Sequence, residues 1–145
     1  MSHLSDLRIR RPQRGATMVE FALVAMVFLS LLLATMEFGR WMFMLNAASE
    51  ATRLGARTAA ICDLDAPQIK ARMRELLPEV SDEQIVVSYS PPACTAANCS
   101  TVEVRLSDVH FTPLVPFISA DFAVPSFTTT LARELMNSAG NPACL

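Results

Sequence analysis

Gly15, Ala16 and Glu20 are the residues of this chain whose types and spacing could carry chemistry. They sit in RGATMVEF, Arg14 to Phe21, where a basic segment meets an apolar run. From Ala16 to Met36 the chain has 21 residues and Glu20 is their only charge. A carboxylate in such a run costs on the order of 2.5 to 3.5 kcal/mol near a bilayer centre and less near an interface, so a partner is expected for it. Hydrolysis of the Gly15–Ala16 peptide bond would supply one. The basic leader would leave, and Ala16 would gain an α-ammonium one helical turn from Glu20, able to pair with the carboxylate of its own or a neighbouring helix. In hydrocarbon either charge alone is heavily penalised, so the pair would enforce axial register between packed helices. The competing reading is a glutamate that snorkels to the nearby interface, with no partner at all.

The element that positions these residues is a long helix. At about 1.5 Å per residue, Ala16 to Met36 spans roughly 31 Å, one hydrocarbon thickness. Ahead of it stand Arg8, Arg10, Arg11 and Arg14 against Asp6, a net of +3, while the rest of the chain carries −5. Arginines directly before an apolar run favour a cytoplasmic N-terminus, which places everything after Met36 on the outer side, the periplasm of a bacterium. A cleavable secretory signal is the rival. The run exceeds the usual ~7 to 15 residues, a glutamate sits at its start, and Ala34-Thr35-Met36 lacks the small-x-small cleavage pattern. Arg10-Arg11 is followed by Pro12-Gln13, a poor twin-arginine signal.

Cys62, Cys94, Cys99 and Cys144 all lie beyond the span, where an oxidising compartment makes disulfides the default. Three pairings are possible. Cys94 and Cys99 flank four residues between two strand-like runs and could clip that connection, leaving Cys62 with Cys144. A zinc site is the alternative, because the Cys94–Cys99 spacing lies within ligand range and His110 is near in sequence. Enzymatic constellations are otherwise scarce. The four glycines, Gly15, Gly39, Gly55 and Gly140, are too dispersed for a phosphate-cradling loop, and no G-x-S-x-G or H-E-x-x-H is present. His110 has no second outer histidine, Asn98-Cys99-Ser100 matches a glycosylation sequon only formally, and scattered basic residues give no nucleic-acid footprint. No catalytic residue, metal or cofactor is expected.

Helical character continues past the membrane surface, since Glu37 to Ile61 contains no proline and many alanines. A seam of Leu45, Ala48, Ala51 or Thr52, Gly55 and Ala59 recurs at three- and four-residue steps, a face for close packing. Glu50 and Arg53 can pair on the opposite side. Asp65 with Gln68 has the form of a capping box for a short helix carrying Ile69, Met73, Leu76 and Leu77, stopped by Pro78. Ile85 to Tyr89, Thr101 to Asp108 and Phe127 to Leu135 read as strands. Phe111 to Pro125, with Pro113, Pro116 and Pro125, could be a crossover, a bulged strand or an exposed binding loop. So small a sheet cannot bury much alone and is expected to pack on the outer half of the long helix, stapled by disulfides. The expected class is α+β: leader 1–15, transmembrane helix 16–37, its outer continuation 38–61, and an outer domain 62–145 with a short helix and about three antiparallel strands.

A basic leader ending in Gly15, a small Ala16, Glu20 five residues past the glycine, Phe21 and a long apolar helix resemble the prepilin-peptidase signature of type IV pilins. More narrowly, VEFALVAMVFLSLLLATMEFGR, Val19 to Arg40, followed by AASEATRLGARTAA, is similar to the TadE-type minor pilins of the tight-adherence (Tad, Flp) pilus. The resemblance covers Gly15 to Ala60. It implies cleavage after Gly15 by a membrane aspartyl prepilin peptidase, with Gly15 and Glu20 as recognition residues. Helix assembly is expected through Glu20, Phe21, Ala48, Ala51 and Gly55, and the resemblance further implies an inner-membrane pool drawn on by an assembly platform with its ATPase. Major and other minor pilins would be partners, with a place at the tip or in the initiating complex of an adhesive pilus. TadE-like helices often carry a proline where this chain has Met26, so a straighter helix is expected. The alternative is an uncleaved single-pass membrane protein whose outer domain binds an envelope or secretion-system partner.

Overall fold

The computed structural model describes residues 14–115, 121–134 and 136–144. The leader up to residue 13 and the centre of the Phe111 to Pro125 connection lie outside them. Helix α1 runs from Arg14 to Ile61, helical straight through Met26. Helix α2 covers Pro67–Leu76, and the strands are β1 (Ile85–Ser90), β2 (Thr101–Leu106), β3 (His110–Phe111), β4 (Phe122–Ala123) and β5 (Thr128–Ala132), followed by one 3-10 turn at Pro142–Cys144. The class is α+β: a long apolar helix, a short helix and a three-stranded antiparallel sheet.

The chain divides into two units, one ending at Met36 and one beginning at Glu37. In the first, side chains from Ala16 to Met36 are exposed apart from a partly covered Ala25. An apolar helix with no buried face is what a lipid surround requires, and this one is long and apolar enough to cross a membrane.

The second unit, called the outer unit after the orientation expected from the sequence, is built on the C-terminal half of α1. Its sheet has the order β1-β2-β5, all antiparallel, with Ile85 opposite Leu106 and Ser90 opposite Thr101 on one side of β2, and Thr101 opposite Ala132 on the other. Alternation along β2 buries Val102, Val104 and Leu106 and turns Thr101, Glu103 and Arg105 outward. Against that inner face α1 sets Ala48, Ala51, Thr52, Ala56 and Ala59, all at or below 1% exposure. The seam is therefore occupied within the molecule. Ala48, Ala51 and Gly55, expected to serve helix assembly, are covered here by the chain's own sheet and α2.

Gly55 shows how close the approach is. A Cβ built there would overlap the Met73 side chain of α2 and lie 3.3 Å from Val104 Cγ1 of β2. Gly55→Val would gain helix propensity but overpack this site, and we expect a loss of about 1 to 3 kcal/mol. In detergent-solubilised protein this should lower the thermal midpoint by about 4 °C or more, and an unchanged midpoint would place α2 elsewhere.

The expected capping box is absent. Helix α2 starts at Pro67 with Ala66 at the cap position and no side-chain cap bond, because proline at the first position presets the backbone and brings no N–H to satisfy. Asp65 instead takes a left-handed conformation (φ 55°), and its backbone N–H donates to the Tyr89 hydroxyl at 3.0 Å. Burial pushes the Tyr89 phenol above its ordinary range; the Asp65 N–H pulls it back, and the Asp65 charge adds to the rise. Glu50 and Arg53 do meet, at 3.3 Å on the exposed side of α1.

Candidate functional site

Gly15 lies in the first turn of α1, exposed, with nothing within 4 Å of where a Cβ would stand. Ala16 and Glu20 follow on the same face, one turn apart, both exposed, and Phe21 beside them is 70% exposed. These four residues share the start of one helix, with no fold required to bring them together. Cleavage after Gly15 would make Ala16 the helix N-terminus, where the partial positive charge of the helix end and the new ammonium would both favour an anion one turn on. What this arrangement can do chemically is present an accessible peptide bond and then hold a newly formed charge.

The outer unit fixes the remaining sequence candidates. Cys62 bonds to Cys144, and Cys94 to Cys99. With all four sulfurs in disulfides, the zinc alternative is closed. His110 Nδ1 stands 3.0 Å from Asp121 Oδ2, both exposed, beside the β3–β4 pairing. Asn98 uses its side-chain oxygen to accept from the Thr95 N–H at 2.6 Å and the Thr95 hydroxyl at 3.0 Å, closing the turn inside the short disulfide. Among the described residues no group of three or more His, Cys, Asp or Glu is placed to hold a metal.

One cluster went unnoticed in the sequence. Glu37, at the start of the outer unit, bonds Arg40 through Oε2 at 3.0 Å and accepts the backbone N–H of Leu114 at Oε1 at 2.9 Å. Arg40 lies over the Phe111 ring at 5.1 Å, and Trp41 meets Phe111 edge-on at 5.2 Å and Phe122 at 5.9 Å. The glutamate thus ties the proline-rich connection to α1. Only the aromatic content of the connection hinted at this, since the partners are 77 residues apart.

The stretch that carries the exposed helix also carries a family likeness. Residues 15–57 match the family model of the TadE-like proteins. The match begins at Gly15, takes in Ala16, Glu20 and the whole apolar run, and ends within the buried seam of α1. The exposed apolar helix within this match accords with membrane anchoring. No curated protein and no solved structure gives a significant match.

Proposed function

We propose that this TadE-like chain is a minor pilin or pseudopilin of a Tad-type pilus, cut after Gly15 and active in pilus initiation or assembly for adhesion and biofilm formation. The observation that carries the reading is Glu20: the sole charge from Ala16 to Met36, exposed on an apolar helix one turn from the residue that cleavage would make the N-terminus. Before the cut the protein is stored in the inner membrane, N-terminus in the cytoplasm and outer unit in the periplasm. The prepilin peptidase acts on Gly15–Ala16. The freed Ala16 ammonium then pairs with Glu20 of its own or a neighbouring helix, setting register as the helix joins other minor and major pilins on the platform driven by its ATPase. Phe21 and the other exposed apolar side chains of the span supply the helix-packing surface.

Mass spectrometry of the protein from membranes of peptidase-competent cells tests this. A mature chain starting at Ala16, with or without N-methylation, supports the reading, whereas an intact leader leaves an uncleaved single-pass protein whose outer unit binds an envelope partner. The register argument has its own test in Glu20→Ala. Membrane insertion should persist, but losing a partner worth about 2 kcal/mol weakens each association step roughly thirtyfold, so filament yield should collapse. Wild-type filament yield from that variant would defeat the pairing.

A further inference from the structure

The first turns of the outer unit carry an apolar surface that neither processing nor the sheet explains. Phe38 is 63% exposed, Phe43 74%, Leu114 73% and Phe122 47%. At about 100° per residue, the exposed Phe38 and Phe43 lie about 140° apart around α1, while Trp41, about 60° to the other side of Phe38, turns to Phe111 and Phe122. This broad arc, on the side of α1 that the sheet leaves open, calls for apolar surroundings. Chain position says what those surroundings are. Counted from Ala16, about 30 Å of helix ends near Met36; counted from Phe21, just beyond Glu20, it ends near Arg40. By either count residues 37–43 straddle the outer headgroup region, the depth at which aromatic side chains concentrate.

The connection is held at the same level. Glu37, with both oxygens engaged by Arg40 and the Leu114 N–H, fixes Leu114 beside the membrane boundary while leaving its side chain exposed. Phe122 is held by its pairing with Phe111 and its contact with Trp41. The Glu37–Arg40 pair also lowers the cost of two charges at this depth, since each is met by the other.

We infer that the base of the outer unit is a membrane foot: Leu114 and Phe122 of the connection, with Phe38 and Phe43 of α1, insert into the headgroup–acyl boundary of the outer leaflet. This rests on the reading of residues 16–36 as a membrane span. The foot gives the proline-rich connection a purpose. It restrains the outer unit against the lipid surface before assembly, and a helix leaving the bilayer for a filament must first withdraw it, exchanging lipid for protein contacts.

Leu114 tests this because it reaches the membrane only through the fold. Full-length protein carrying Trp41→Phe and Leu114→Trp holds one tryptophan, since Trp41 is the only one in the chain. It would be reconstituted in phosphatidylcholine nanodiscs with bromine high on the acyl chain; Phe122→Trp in the same background guards against a local packing failure. Emission should fall by about twofold or more relative to unbrominated discs, and aqueous acrylamide should quench poorly. Strong acrylamide quenching without bromolipid quenching at both positions would overturn the foot. Protection from both quenchers would also overturn it, in favour of contact with a second protein copy. Failure of the chain to co-elute with the discs would remove the membrane span itself, and the foot with it.

Discussion

Gly15→Val is expected to leave the chain at full length in the membrane of cells that process the wild-type protein. The reason is local. Gly15 is a glycine within α1, which weakens the helix locally by about 1 kcal/mol relative to alanine, so this stretch can open into the extended backbone that a protease must bind. Glycine permits that opening and lets an enzyme's backbone approach closely; valine adds a β-branched side chain at the bond to be cut. Space in the protein itself is not the obstacle, since nothing lies within 4 Å of a Cβ at this position. Gly39 provides the matched control, being on the same helix with equally open surroundings. Gly39→Val should be processed normally, whereas Gly15→Val should retain the mass of the 15-residue leader in essentially all molecules. Equal maturation of the two variants would refute the assigned bond. Because the leader carries a net charge of +3, unprocessed protein should also keep the wild-type membrane orientation, separating a failure of cleavage from a failure of insertion.

The candidate site could be read from sequence because it is linear. Gly15, Ala16 and Glu20 are related by helix spacing alone, and a single charge in an apolar run is conspicuous without any tertiary knowledge. The sheet was legible for a related reason: Val102, Val104 and Leu106 alternate with Glu103 and Arg105, a pattern that only one buried face produces. Its ends were less so. The expected strand Phe127 to Leu135 is ordered as Thr128–Ala132, and after Ala132 the chain turns to α1, the Glu134 N–H donating to Ala60 O at 3.1 Å. The β3–β4 pair could not be read at all. Two-residue strands have no period, and theirs is supported by Trp41, about 70 residues upstream of Phe111. Asp65 misled for a physical reason. Its side chain has capping chemistry, but Pro67 preorganises the helix start, and the backbone of Asp65 is committed to Tyr89. The seam on α1 was visible as a close-packing surface, yet its small residues face the chain's own Met73 and Val104, a partner choice that periodicity cannot express.

The second large effect should come from the disulfide between Cys62 and Cys144. Their separation of 82 residues removes much more denatured-state freedom than the 5 between Cys94 and Cys99. Chain-entropy estimates are roughly 4.5 kcal/mol for the first and roughly 2 kcal/mol for the second. A small domain has only about 5 to 15 kcal/mol in total, so losing the long bridge should bring the outer unit close to unfolding. The structure adds a cause beyond entropy. Helix α1 ends at Ile61 with carbonyls that no further turn can satisfy, and the C-terminal strap supplies the donors: Glu134 N–H to Ala60 O at 3.1 Å and Asn137 N–H to Ile61 O at 2.9 Å. Ser138 Oγ accepts the Asp63 N–H at 2.9 Å, and Cys144 closes the strap where α1 stops. Cutting the bridge frees the strap and uncaps the helix that carries the whole core. Cys62→Ser with Cys144→Ser should therefore lower the thermal midpoint of the detergent-solubilised protein at least twice as far as Cys94→Ser with Cys99→Ser, with backbone amides at the end of α1 losing hydrogen-exchange protection first. Equal shifts for the two pairs would mean that neither loop entropy nor the strap governs the stability of this unit.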